Sequence, residues 1–213
     1  MSDRTDPRSP PDEPPPGRAG RRAPRPKQKR PGPYHLPPRD RRHGLLIVNT
    51  GDGKGKSTAG FGVLLRAWGR GMTVGGFQFV KSAENPYGEH HAARAMGFDL
   101  VPLGDGFTWL SDDLAADRRL AEEGWALCRA ALAEGRFDVL LLDELTYPLN
   151  YGWLDVPQVL ADLAGRPAGT HVIITGRDAP AALIDAADLV TEMRVIKHPY
   201  RDQGIGAQPG IEL

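Results

Sequence analysis

The stretch Leu45-Leu46-Ile47-Val48-Asn49-Thr50-Gly51-Asp52-Gly53-Lys54-Gly55-Lys56-Ser57-Thr58 decides the fold. A short apolar run leads into alternating glycines, and a segment whose apolar residues recur at helical spacing follows. This is the strand, phosphate-binding loop and helix order in which such a loop works. The glycines let backbone N–H groups turn inward toward a polyphosphate, Lys56 adds a positive charge, and the Ser57 hydroxyl can hold a magnesium ion. Against the pattern G-x-x-x-x-G-K-[ST] the first glycine should fall at position 50, but Thr50 stands there and Gly51 comes one place later.

Outward from the loop, short β-like runs alternate with longer helical ones from His43 onward. That alternation predicts an α/β fold, a mostly parallel sheet covered by helices on both faces. Strands are expected at residues 45–49, 74–80, 139–142 and 171–175, with a weaker one at 99–102. A helix is expected at 57–68, with Phe61, Leu64, Leu65 and Trp68 on one face and Gly69 with Gly71 as its stop. A long helix is expected over about 112–134, closed by Gly135. Shorter helices are expected near 156–163 and 180–187, the last leading into 189–194. No internal repeat is visible.

The run Phe137-Asp138-Val139-Leu140-Leu141-Leu142-Asp143-Glu144 is an apolar strand with two carboxylates at its carboxyl end, where ligands bind in open α/β sheets. It looks like a Walker B segment. A magnesium ion bridging phosphate oxygens needs hard anionic ligands beside the loop hydroxyl. Acidic residues at strand ends also cap turns, so the reading rests on the pairing with residues 51–57. The two motifs leave the reaction open. Either the γ-phosphoryl group moves, or the 5′ carbon is attacked and the whole triphosphate departs.

A chain of 213 residues suits one such domain. No apolar run approaches the roughly 20 residues of a membrane span, and the start is charged and Pro-rich rather than signal-like, so a soluble, cytoplasmic protein is expected. Residues 1–43 hold 12 of the 27 Lys and Arg, 5 of the 27 Asp and Glu, and 12 of the 20 prolines. Such a basic segment buries too little to offset its ordering entropy and is expected to be a disordered tail, with the domain at 44–213. It reads as a solubilising extension, with nucleic-acid contact or a flap over the site as sharper alternatives. Residues 18–30 lack interleaved aromatics, which argues against nucleic acid. The one cysteine, Cys128, falls in a helical pattern with Leu114, Ala121, Trp125 and Leu132 and reads as a packed thiol.

Four segments narrow the chemistry. The loop at 51–57, Gly106-Phe107-Thr108-Trp109, Leu142-Asp143-Glu144-Leu145-Thr146-Tyr147 and Val172-Ile173-Ile174-Thr175-Gly176-Arg177 occur in this order. In order and spacing they resemble the P-loop class of corrinoid adenosyltransferases, which act on cob(I)yrinic acid a,c-diamide and cob(I)alamin. The likeness extends through Phe77-Gln78-Phe79-Val80-Lys81 and Val195-Ile196-Lys197-His198 to Gly210-Ile211, covering residues 44–213 and none of the tail.

The resemblance implies a RecA-like P-loop NTPase fold, usually as a homodimer. It implies that ATP, with magnesium or manganese, gives its 5′-deoxyadenosyl group to the cobalt(I) of a corrinoid and releases triphosphate, in adenosylcobalamin biosynthesis or salvage. A reduced flavoprotein such as a flavodoxin is the implied electron donor. Gly51, Asp52, Gly53, Lys54, Gly55, Lys56, Ser57 and Thr58 would bind ATP together with Arg177. Ser57 and Glu144 would hold the metal. Phe107 and Trp109 match the family's aromatic pair, an apolar wedge that expels the lower cobalt ligand and eases reduction; with Lys56 they are the implied catalytic residues. The family's threonine after the lysine is Ser57 here, which keeps the hydroxyl. Its usual Asn between the first glycines is Asp52, which either points outward or reaches the metal.

From the residues alone, Phe107 and Trp109 could also pack under the sheet edge, and Arg177 and Lys81 could be solvated turn residues. His90, His91 and His198 lack metal-pair spacing and are read as structural or exposed. Two other functions fit the loop: a small-molecule kinase, which would release ADP, and a nucleotide-switched binding module.

Overall fold

The computed structural model describes residues 37–82, 87–104 and 114–212. Six strands form one parallel sheet: β1 (Leu46–Thr50), β2 (Val74–Ser82), β3 (Asp99–Gly104), β4 (Val139–Asp143), β5 (His171–Thr175) and β6 (Leu189–Glu192), in the order β3-β2-β4-β5-β1-β6. The helices are α1 (Lys56–Trp68), α2 (Gly88–Met96), α3 (Leu114–Ala133), α4 (Thr146–Asn150), α5 (Val156–Ala164), α6 (Ala181–Ala186) and α7 (Pro199–Gln203). The α/β class and the parallel sheet agree with the sequence reading. No described helix is long and apolar enough to cross a membrane.

β4 is apolar at successive positions because both faces of the sheet are covered. Leu140 and Leu142 join the larger core, where Trp125, Cys128 and Leu132 of α3 and Val159 and Leu163 of α5 pack, while Val139 and Leu141 join the smaller one, under Leu64 and Ala67 of α1. The Trp125 indole N–H donates to Asp162 at 2.9 Å and ties α3 to α5. Burial raises the thiol of Cys128 well above its ordinary value, as expected of a packed cysteine. Leu114, grouped with it in the sequence, is exposed.

The buried face of α1 also differs from expectation. Lys56, Gly60, Leu64 and Ala67 face inward, while Leu65 is 56% and Trp68 42% exposed. Gly60 sets this orientation, since a Cβ there would come within 2.8 Å of the Leu141 side chain. The helix therefore sits close to the sheet along its smallest residue. Trp68 instead donates its indole N–H to the Met96 carbonyl at 3.1 Å, joining α1 to α2.

Three helices escaped the sequence reading. α4 and α7 are one turn each, and α2 is too polar and too short to show a clear apolar stripe.

Candidate phosphate-binding site

The carboxyl ends of β1, β5, β4 and β2 stand side by side and carry the site. After β1, Gly51 and Gly55 take φ values of 94° and 105°, backbone that other residues adopt only with strain. The loop lies pressed on the segment after β6. Gly53 N–H donates to the Met193 carbonyl at 2.6 Å, and Met193 N–H donates to the Thr50 carbonyl at 2.8 Å. A Cβ on Gly53 would lie 2.6 Å from that Met193 oxygen, so only glycine fits.

Lys56 opens α1 and is buried. Its ammonium donates to the Gly53 carbonyl at 2.7 Å. Burial pulls its pKa below the ordinary lysine value, with Glu144 the main opposing influence. Ser57 is half-buried in the first helical turn and Thr58 is exposed. The first-turn amides of this 13-residue helix and its dipole favour an anion at the same end.

Opposite the loop stands Glu144, at the left-handed backbone value φ 61°. Burial, then repulsion by Asp143, pushes its pKa up to about 7, against Lys56, Lys81 and Arg177. Its Oε2 is buried and has no hydrogen-bond partner among the described residues. The neighbouring Asp143 is fully buried and occupied. It accepts from the Thr175 hydroxyl at 2.6 Å and from the Gln78 amide at 2.8 Å. Thr175 in turn accepts from the Glu144 N–H at 3.0 Å. A buried polar chain thus links three strands and fixes the turn that presents Glu144.

The donor set fits a magnesium ion. The described residues hold no cluster of three or more His, Cys, Asp or Glu that could ligate a metal by themselves. Magnesium instead takes one or two protein oxygens and completes its shell with phosphates and water. The unpaired, buried Glu144 carboxylate oxygen, on a residue electrostatically coupled to Lys56 of the hydroxyl-bearing loop, supplies that minimum.

Asp52 points outward and is exposed; its carboxylate lies 3.8 Å from Arg177, which is half-exposed at the mouth of the loop. The Arg177 carbonyl accepts from Asn150. Lys54 is paired at 3.0 Å with Glu212, so the C-terminal segment reaches the loop, a contact the sequence did not signal. Lys81 is ion-paired with Glu89 and lies 4.5 Å above the Tyr87 ring. His198 caps α7, accepting from the N–H groups of Tyr200 and Arg201; His90 is buried and His91 exposed. Phe107 and Trp109 lie outside the described residues. Sequence reasoning missed Gln78 and Thr175 as supports of the acidic turn, although both stand inside the quoted segments.

Residues 42–213 match the family described as ATP:corrinoid adenosyltransferase BtuR/CobO/CobP. The chain is 45% identical over 175 residues to a corrinoid adenosyltransferase of Sinorhizobium sp, covering 80% of each chain. It is 43% identical over 177 residues to one from Pseudomonas aeruginosa, covering 82% of this chain and 86% of the other. The corrinoid adenosyltransferase CobA of Salmonella typhimurium is 40% identical over 169 residues, covering 79% and 85%. Among solved structures, the flagellar accessory protein FlaH from Methanocaldococcus jannaschii superposes with a TM-score of 0.50 at 12% identity over 71% of each chain, a likeness of fold alone.

Proposed function

The chain belongs to the ATP:corrinoid adenosyltransferase family, and we propose that its glycine loop holds the triphosphate of ATP as a leaving group. The protein is an ATP:corrinoid adenosyltransferase of cobalamin biosynthesis. The reaction joins the cobalt of a reduced corrinoid to the 5′ carbon of ATP. Cobalt(I) supplies the electron pair of the new bond, and the C5′–O bond breaks with its electrons leaving on triphosphate. Cobalt(I) is a strong nucleophile, so no general base is required. The protein's tasks are alignment, exclusion of water and neutralisation of the departing charge.

Lys56 carries the last task. Its ammonium exchanges the Gly53 carbonyl for phosphate oxygens, and the loop amides and the first turn of α1 add further donors. Ser57 and Glu144 would hold magnesium, or manganese in its place, which would supply positive charge against the polyphosphate. Arg177 adds a cation at the rim, where Asp52 pairs with it in the structure described here. The buried, unpartnered Glu144 oxygen, on a carboxyl electrostatically coupled to Lys56, supports this arrangement most strongly.

Phe107 and Trp109 form the wedge that strips the lower ligand from cobalt(II). Replacing Trp109 with Ala then slows reactions begun from cobalt(II) far more than those supplied with cobalt(I); equal losses would remove the wedge. The enzyme works as a cytoplasmic homodimer, with a reduced flavoprotein such as a flavodoxin as electron donor. Chromatography of the spent nucleotide separates this function from a kinase, since the kinase leaves ADP and the adenosyltransferase leaves triphosphate.

A further inference from the structure

The segment beyond α7 runs over the surface and comes down on the phosphate loop at one point. From Gly204 to Ile211 every residue is exposed, and Glu212 is partly buried. The backbone bonds of this segment are local. Ile205 N–H donates to the Pro199 carbonyl at 3.0 Å, and the N–H groups of Ile211 and Glu212 donate to the Gln208 carbonyl at 3.1 Å. Ile205 and Ile211 face solvent, so no apolar side chain presses the segment onto the body. Among the described residues its ion pair to the rest of the molecule is that of Glu212 with Lys54, at 3.0 Å.

Lys54 stands in the loop between Gly53 and Gly55 and is exposed. Burial lowers the pKa of Lys56, and Arg177 and Lys54 are among the charges that act on it in the same direction. The three cations therefore form one group around the loop. Each has an oxygen of the chain as its partner: Glu212 for Lys54 at 3.0 Å, the Gly53 carbonyl for Lys56 at 2.7 Å, and Asp52 for Arg177 at 3.8 Å. Asp52 and Gly53 are loop residues themselves. Glu212 is brought there from a distant segment.

A triphosphate in the loop is a polyanion that draws on the ammonium Glu212 holds, and it meets the Glu212 carboxylate as a like charge. An exposed ion pair contributes little to stability, so it yields to that competition. We propose that residues 204–212 form a strap that Glu212 fastens to Lys54 and that a bound triphosphate releases. The inference rests on the loop's role as the triphosphate cradle. The strap makes the chain its own weak competitor for the nucleotide, and occupancy of the loop is passed to the position of a surface segment. Salt weakens the competition, because both charged groups are partly in solvent.

Inorganic triphosphate with magnesium is the probe, and the test requires no corrinoid. Cys128 is fully buried, so a spin label on Ala207→Cys reports the exposed segment alone. Saturating triphosphate is expected to raise the mobility of that label, and Glu212→Gln should raise it without triphosphate. In calorimetry at low salt, Glu212→Gln should tighten triphosphate binding about 2- to 5-fold, the value of one exposed pair. High salt should shrink that gain, and with Lys54→Met already present Glu212→Gln should add nothing. A label that triphosphate leaves unchanged or immobilises, a Glu212→Gln variant of unaltered affinity, or the same gain in the Lys54→Met background would overturn the strap. A protein that binds neither triphosphate nor ATP would instead remove the cradle, and the strap with it.

Discussion

Glu144 concentrates the chemistry at the scale of single residues. It adopts a left-handed backbone, a strain of about 1–3 kcal/mol, and leaves one carboxylate oxygen buried and unpaired. Such costs persist where the surroundings enforce them, and on the proposed function a bound metal would relieve one of them. In the metal-free protein the pKa of about 7 against a usual 4.5 has a definite consequence. Between those values the Glu144 carboxyl keeps its proton in the folded state and loses it in the unfolded chain, so its contribution to stability is largest below pH 4.5 and declines as pH rises toward 7. The decline amounts to roughly 3 kcal/mol at most. Urea unfolding across this range should show it, and Glu144→Gln should flatten it. Lys56→Ala is expected to lower kcat/KM for ATP by about 100-fold or more, on the scale of losing one charge-stabilising donor. Steady-state kinetics with excess corrinoid would measure it, and an unchanged value would release Lys56 from its role.

The elements explain why some of this was legible and some was not. The stretch through β1, the loop and α1 announces itself locally, because glycine spacing, lysine and hydroxyl are neighbours in sequence. β4 and β5 are equally plain as apolar runs between turns. Gln78, Asp143 and Thr175 are different: they meet only because β2, β4 and β5 are paired in one register. Nothing local in the sequence marks that meeting. The exposed Leu65 and Trp68 failed for a related reason, since the close approach of Gly60 to Leu141 turns α1 and is a tertiary event. Thr175→Val tests the network. It leaves Asp143 with an unmet acceptor and removes the acceptor of the Glu144 N–H, for an expected loss of about 1–3 kcal/mol in stability and a rise in the magnesium required for activity. Thr175→Ser keeps the hydroxyl and should restore both. A Val variant with unaltered melting and metal dependence would reduce the network to packing.

At the scale of the whole molecule, residues 37–213 make one compact unit. Arg42 is bonded to Asp138 at 3.0 Å, at the start of β4, so the folded part begins before the phosphate loop. A chain beginning at residue 37 should melt at the same temperature as the full protein, which calorimetry would establish. A large drop would make the basic tail part of the fold. Within the unit, the strand order brings the P-loop strand and the acidic strand to either side of β5, so that the glycine loop and Glu144 stand at one end of the sheet. On the proposed function, the loop that first indicated only a polyphosphate is the cradle of a leaving group. A single turnover of purified protein with ATP, magnesium and chemically reduced corrinoid tests this most directly, with light-sensitive adenosylcorrinoid and inorganic triphosphate quantified together. One triphosphate is predicted for each cobalt–carbon bond formed; release of ADP, or triphosphate without adenosylcorrinoid, would contradict it.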